Sequence, residues 1–204
     1  MKYSFFLFML FCALQQGFSQ YTLDWKKEPF VLGVGGEMVG SSFLFLNDFD
    51  ILSDDEIKSL YTTTPKLNFK IDYWAIKQSS ESAKMMSDVL IFTSLIPPAL
   101  MIWDRAKADD GNTQLIMALE TGLLTWGLTS FTKREQKRMR PYMYNDDLLK
   151  FPMECRRSKN ARQSFFSGHT SGTAALYYFT AVSYSEYYPD SKFKPWVWGA
   201  SVSI

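Results

Sequence analysis

The chain has 204 residues, a formal charge of +1 and an aromatic content of 17%. A chain of this length can bury one full hydrophobic core, so we expect one folded unit without a long linker or internal repeats. The balanced charge gives no general case for binding nucleic acid, and the slightly negative mean hydropathy is low for a chain lying wholly in lipid.

Residues 1–19 have the pattern of a secretory signal peptide. A lysine precedes the apolar segment Phe5–Leu14, and small residues lead to a cleavage point before Gln20. An uncleaved membrane anchor is the alternative, but the apolar segment is short for a span. Cleavage would remove Cys12 and leave Cys155 as a lone thiol, for which no intrachain disulfide is possible.

Residues 20–85 are predicted to form an N-terminal helical region. Phe30–Leu46 is apolar and rich in glycine, with Glu37 interrupting it. Its Gly-Val-Gly-Gly run lacks the full pattern of a nucleotide-binding loop, so close helix packing is the better explanation. Ser53–Glu56 has the pattern of a helix cap followed by an acidic first turn.

Residues 86–204 contain four apolar runs of helical length joined by polar turns, which predict an all-α helical bundle. Met86–Trp103 is long enough to cross a bilayer, carries Asp88 near its start, and should be kinked or split by paired prolines at 97 and 98. The other runs are Leu115–Phe131, with Glu120 embedded, Gly172–Tyr188, and a run from Trp196. The last run reaches Ile204 without a cap or polar tail, so we expect the natural protein to continue.

The segment Lys133–Pro141 is dense in positive charge. Such runs are usually solvated faces, nucleic-acid patches or cytoplasmic flanks of membrane helices. Lys133 and Arg140 are seven residues apart, which predicts a shared face on one helix that Pro141 then ends. An ammonium and a bidentate guanidinium on one face form a clamp for phosphate.

The segment Ser164–Gly172 holds His169, the only histidine in the sequence. Ser167, Thr170 and Ser171 are natural N-cap residues, and a helix start offers free N–H groups to an anion such as phosphate. A histidine at that place can act as a proton donor or nucleophile near neutral pH. The alternative is an ordinary loop ending in a helix cap, with the histidine merely exposed.

In Lys133–Pro141 a lysine is followed by six residues and then by Arg-Pro, and Phe166–His169 comes later in the chain. These two segments, in this order, resemble the first two signatures of the type 2 phosphatidic acid phosphatase and vanadium haloperoxidase superfamily. The resemblance covers the chain from Met86 onward. Phe166 replaces the proline of the second signature, which we expect to alter loop stiffness more than chemistry. The third signature, which holds the family's nucleophilic histidine, has no match and would normally follow the helix that begins at Trp196.

The resemblance implies a bundle of that superfamily's kind and a phosphatase that hydrolyses a phosphomonoester or diphosphate through a phosphohistidine. Lys133 and Arg140 would hold the phosphate oxygens. Ser167 and the N–H of Gly168 would donate further hydrogen bonds. His169 would protonate the leaving alkoxide as general acid. The attacking histidine is absent, so we expect the 204 residues alone to be inactive. No cofactor or metal is implied, and the sequence has no cluster of metal ligands.

We expect the substrate to be a phosphorylated lipid or another phosphate ester, and the protein to be membrane-associated. The expected location is the inner membrane of a bacterial cell with a periplasmic site, or the periplasm itself. The positive-inside rule places Lys133–Arg140 in the cytoplasm instead, but a phosphate clamp gives those charges another reason to exist. One alternative is a soluble periplasmic acid phosphatase or haloperoxidase relative, which Glu120 and the low hydropathy favour. Another is a non-enzymatic membrane protein whose basic run binds anionic lipid.

Overall fold

The computed structural model describes residues 22–44, 51–62, 70–108 and 110–203, and the predicted signal peptide lies outside these ranges. Within them the chain is helical and has no strand, so the predicted all-α fold is confirmed. The α-helices are α1 (Glu28–Leu44), α2 (Asp54–Thr62), α3 (Lys70–Ala75), α4 (Glu81–Thr93), α5 (Ile96–Ala106), α6 (Gly111–Gln136), α7 (Met153–Arg157), α8 (Gly168–Tyr187) and α9 (Lys194–Val202). Short 3-10 turns lie at Pro141–Tyr144 and Lys159–Arg162.

The paired prolines split the apolar run Met86–Trp103 into α4 and α5, as predicted. Pro97 and Pro98 lie in the first turn of α5, where a missing N–H breaks no helical hydrogen bond. Ser94 and Leu95, between the two helices, keep right-handed helical dihedral angles, and Glu81–Ala106 is long and apolar enough to cross a membrane. We call these two helices the α4–α5 pair.

Helix α8 contacts three other parts of the bundle. The α4–α5 pair runs parallel to it, because Ile91 packs against Gly172 near one end and Asp104 accepts a hydrogen bond from Tyr188 near the other. Helices α6 and α9 run antiparallel to α8. The N-termini of α4 and α8 therefore lie at the same end of the bundle as the C-terminus of α6.

Helix α1 packs along α6, and two glycines allow the close approach. A Cβ atom added at Gly35 would lie 2.9 Å from the Cβ of Leu123, and one added at Gly127 would lie 2.6 Å from the Cβ of Met38. Close packing thus explains Gly35, as predicted for this glycine-rich segment. The explanation is wrong for the other glycines of α1, which face open space: Gly33, Gly36 and Gly40.

The bundle buries mainly small and polar side chains and exposes large apolar ones. Buried polar positions include Ser94, Gln114, Thr129, Thr173, Thr180, Ser183 and Ser201. Exposed apolar side chains include Phe30, Met86, Phe92, Leu100, Trp103, Leu119, Trp126 and Trp196. Soluble proteins generally bury their large apolar residues, whereas small residues at helix contacts are typical of helices packed in lipid.

At the end of the bundle where α6 ends and α8 begins, α2, α3 and residues 137–163 form a separate layer, which we call the end layer. Its buried core consists of Ile57, Met143 and Ala161. Arg156, only 1% exposed, donates hydrogen bonds to three backbone carbonyls of this layer and lies over the Tyr61 ring. The connection between α6 and α8 is therefore a packed structure. The predicted cap of α2 also forms, with Glu56 N–H donating to Ser53 Oγ at 3.3 Å.

Candidate anion-binding site

The side chain of Lys133 lies at the N-terminus of α8. A Cβ atom added at Gly168 would lie 3.5 Å from Lys133 Nζ. One helical turn earlier, Thr129 Oγ1 lies 3.1 Å from Ser171 Oγ, within hydrogen-bond distance. Residues four apart share a helix face, so α6 presents both contacts to α8. The structure thus brings Lys133 beside the start of the predicted motif, beyond the apolar run Leu115–Phe131.

Ser167 is the N-cap of α8, which therefore begins at Gly168 and not at the predicted Gly172. Its Oγ accepts a hydrogen bond from the Thr170 N–H at 3.2 Å. The N–H groups of Gly168 and His169 belong to the first turn, where a helix supplies no carbonyl partner. A hydroxyl that accepts one hydrogen bond still has its own proton to donate, so Ser167 remains available to an anion.

The predicted continuous helix from Lys133 to Arg140 is wrong. Helix α6 ends at Gln136, and Lys137 has the left-handed conformation that commonly terminates helices, with φ of 41°. Arg140 is extended, with φ of −71° and ψ of 145°, as expected for a residue before proline. Lys133 and Arg140 therefore share no helical face, and Pro141 begins a 3-10 turn after the α-helix has already ended.

Arg140 comes near enough for its charge to act on Lys133 because the chain doubles back after α6. Its backbone N–H donates to Ala161 O at 2.8 Å. Its Nε donates to Asn160 O at 2.9 Å, and Nη2 donates to Asn160 Oδ1 at 2.7 Å. These bonds orient the guanidinium through one edge, and the remaining N–H groups can face an anion. Asn160 is a site residue that sequence reasoning missed, because its contact depends on this chain reversal.

Neither Lys133 nor Arg140 pairs with a carboxylate of the described ranges. By contrast, Arg138 pairs with Asp72, and Arg134 pairs with the adjacent glutamate at 3.5 Å. Burial and, to a smaller extent, the positive charge of Arg140 lower the pKa of Lys133. Two neighbouring positive charges without a paired carboxylate, close to the positive end of a helix, favour an anion between them.

His169 pairs with α4. Its Nε2 lies 2.9 Å from Asp88 Oδ1, and the two side chains are 48% and 45% exposed. The interpretation of this segment as a helix cap is correct for Ser167, but the histidine has a specific partner. Asp88 was missed as a site residue, although a lone carboxylate in an apolar run is costly unless it is paired or functional. The cost of such a carboxylate is the sequence signal that could have identified Asp88.

Phe166 has a left-handed backbone with φ of 53°. This is the position at which Phe replaces the proline of the second signature. A proline ring holds φ near −65°, so proline would not fit the conformation seen here. The substitution therefore affects the path of the loop as well as its stiffness, and the chain departs here from the pattern it resembles.

The described residues contain no group of three or more side chains suited to hold a metal ion. Comparison with protein-family models, with curated proteins and with solved structures found no match.

Proposed function

We propose that this chain forms the phosphate-binding part of a phosphatase that hydrolyses a phosphomonoester or diphosphate of a membrane lipid. The observation that carries the proposal is that Lys133 lies at the N-terminus of α8, beside His169, with Arg140 near enough for its charge to lower the pKa of Lys133. Phosphoryl transfer is catalysed mainly by positioning and by stabilising charge on the phosphate oxygens. Two cations and a helix start provide such stabilisation without a cofactor.

Each group has a distinct role in this proposal. Lys133 and Arg140 bind the phosphate oxygens, the second through the guanidinium edge that Asn160 leaves free. Ser167 and the N–H of Gly168 donate further hydrogen bonds. His169 protonates the leaving oxygen. The chain has one histidine, so we propose that the attacking histidine lies outside these 204 residues and forms a phosphohistidine that water hydrolyses.

The surface of the bundle supports a lipid as the substrate. Around Asp88, α4 exposes the apolar side chains Met85, Val89 and Phe92, which are 65%, 49% and 72% exposed. An acyl chain lying along this surface would place its phosphate at the end of the bundle near His169. We propose that the protein lies in a bacterial inner membrane with this end facing the periplasm. The apolar surface of the α4–α5 pair supports the membrane part of that proposal.

The first test is calorimetric titration of the purified chain with inorganic phosphate. We expect binding that Lys133→Ala and Arg140→Ala each abolish or strongly weaken. Arg134→Gln is the matched control, because it removes a charge from the same run that is already paired. Equal weakening by all three variants, or no binding by the wild type, would contradict a specific phosphate site.

The second test is turnover by the protein purified from its natural gene. We expect hydrolysis of a phosphorylated lipid by protein that requires detergent for extraction. Hydrolysis of soluble esters alone, by protein extracted without detergent, would favour the acid phosphatase alternative. Halide oxidation with bound vanadate would favour a haloperoxidase relative, because that branch uses the same pocket. Phosphate binding without any turnover would favour the non-enzymatic protein that binds anionic lipid.

The role of His169 can be tested with two esters that differ in leaving group. His169→Ala should slow hydrolysis of an alkyl phosphate by about 100- to 10,000-fold, the usual worth of general acid catalysis. The loss should be smaller for a nitrophenyl phosphate, whose leaving group needs no proton. Equal losses on the two esters would show that His169 is not the general acid.

A further inference from the structure

We propose that Asp88 is a positioning residue for His169, which fixes the imidazole through Nε2 and leaves Nδ1 for the anion site. The two atoms Asp88 Oδ1 and His169 Nε2 are 2.9 Å apart. The close contact is read from the structure, the Nε2–H hydrogen bond is part of the proposal, and its catalytic consequence rests on the proposed phosphatase function.

Helix packing sets this pairing. Asp88 is three residues before Ile91 on α4, and His169 is three residues before Gly172 on α8. A Cβ atom added at Gly172 would lie 2.9 Å from Ile91 Cδ1, so the two helices are in close contact one turn beyond the ion pair. Residues three apart share a helix face. The backbones therefore hold Asp88 opposite His169, and free rotation of two surface side chains is not needed to explain the contact.

The surroundings of Asp88 also favour a functional role. It is the single charged residue of the run Met86–Trp103, and its neighbours Met85 and Val89 are exposed and apolar. An exposed ion pair contributes little to stability, so stability alone is a weak reason to place a carboxylate there. An ionisable group in an apolar helix usually serves a site, and its partner is the only histidine of the chain.

The chemistry of this arrangement follows from the two ring nitrogens. A carboxylate that accepts from Nε2–H orients the ring and fixes which nitrogen faces it. In the acid form that general acid catalysis requires, the second proton is on Nδ1. When the bond between phosphorus and the leaving oxygen breaks, its electron pair goes to that oxygen, which takes the proton from Nδ1. The hydrogen bond from His169 Nε2–H to Asp88 remains throughout this step, so Asp88 does not become the proton donor.

The first test is NMR of the chain labelled with ¹⁵N-histidine, in which the only histidine gives an unambiguous signal. A ring N–H exchanges rapidly with water unless it is hydrogen-bonded, so we expect a protected Nε2–H signal in the wild type and its loss in Asp88→Ala. Asp104→Ala is the matched control, because Asp104 lies on the same α4–α5 pair and bonds to Tyr188 instead. A signal that survives Asp88→Ala, or that is absent from the wild type, would overturn the proposal.

The second test measures turnover of the natural gene product on the alkyl and nitrophenyl esters. Removing the carboxylate partner of a metal-bound histidine costs about 10- to 100-fold, and we expect Asp88→Ala to lower kcat on the alkyl ester by that order, with little change in KM. Asp88→Glu should restore part of the loss. In a His169→Ala background, Asp88→Ala should add nothing, because it acts through the histidine.

Two further outcomes separate this proposal from the function on which it rests. A further loss from Asp88→Ala in the His169→Ala background, or equal losses on both esters, would make Asp88 a structural residue and overturn the proposal. Absence of turnover from every protein, wild type included, would refute the phosphatase function. The NMR result would then still decide whether Asp88 positions His169.

Discussion

Arg140 comes near Lys133 by a route that the spacing of the two residues does not suggest. Seven residues on a helix would place the two side chains on one face, but α6 ends at Gln136. The guanidinium is instead oriented by Asn160, through two hydrogen bonds across the chain reversal. The proximity of the two cations therefore depends on the tertiary structure, and each cation can be tested separately.

Replacing Arg140 by lysine should weaken phosphate binding although the charge is kept. Lysine has no planar fork and cannot reproduce both bonds to Asn160. Because a hydrogen bond to a charged group contributes about 1.5–3 kcal/mol, we expect the phosphate Kd to rise by about tenfold or more. Calorimetry measures the change, with Arg134→Lys as control. Unchanged affinity would mean that charge alone suffices at this position.

Phosphate binding should weaken as pH rises toward the ordinary lysine pKa of 10.5. Burial, and then the charge of Arg140, lower the pKa of Lys133, so the folded protein loses this proton before the unfolded chain does. Between the lowered pKa of Lys133 in the folded protein and its ordinary pKa in the unfolded chain, the unfolded state binds more protons. The free energy of unfolding of the anion-free protein therefore rises with pH in this window. Bound phosphate favours the protonated lysine and should reduce that rise.

Chemical unfolding at a series of pH values, with and without phosphate, checks this prediction. Lys133→Met should abolish the part of the rise in stability with pH that bound phosphate reduces in the wild type. A wild-type protein that loses stability as pH rises through this window would show that the sign assigned to Lys133 is wrong.

At the scale of the helices, position relative to a neighbour decides what each glycine does. Gly122 and Gly127 lie on the same helix, α6. A Cβ at Gly127 would meet Met38 Cβ at 2.6 Å, whereas Gly122 has no atom within 4 Å of its added Cβ. The Met38 Cβ is fixed to its backbone and cannot move without shifting α1, so the contact cannot be relieved by a rotation.

Gly127→Ala and Gly122→Ala should therefore change stability in opposite directions. Overpacking typically costs about 1–3 kcal/mol, and we expect Gly127→Ala to be destabilising by that order. Gly122→Ala should be stabilising by up to about 1 kcal/mol, because alanine favours the helix. Denaturant unfolding followed by circular dichroism measures both. A shift of the same sign in both variants would contradict the packing of α1 against α6.

At the scale of the whole molecule, the end layer and the candidate site lie on one side of the bundle. The N-termini of α4 and α8 and the C-terminus of α6 meet at that end, as the contacts of Lys133 and Asp88 show. If the helices cross a membrane, the whole end layer lies on a single side of it. Cys155, an exposed free thiol on α7, reports which side that is.

A membrane-impermeant maleimide should label Cys155 in intact spheroplasts, because we propose that the site faces the periplasm. Cys155→Ser is the control, and it also accounts for any labelling of Cys12 in the predicted signal peptide. Labelling only after lysis would place the site in the cytoplasm, as the positive-inside rule suggests. The division into residues 1–19, 20–85 and 86–204 remains a prediction.

The sequence by itself determined the features that depend on neighbouring residues. It predicted the helical bundle, the split at Pro97-Pro98 and the helix cap at Ser53, because apolar periodicity, proline and cap chemistry act within a few residues. It also predicted Lys133 and Arg140 as a candidate phosphate clamp.

The tertiary structure alone decided how these residues meet. Asp88 and His169 are 2.9 Å apart although 81 positions separate them, and Asn160 orients Arg140 across a chain reversal. The path of the loop through Phe166 and the burial of Arg156 were equally invisible in local patterns. Such contacts depend on how α4, α6 and the end layer pack around α8, and side-chain packing between distant segments leaves little periodic trace in the sequence.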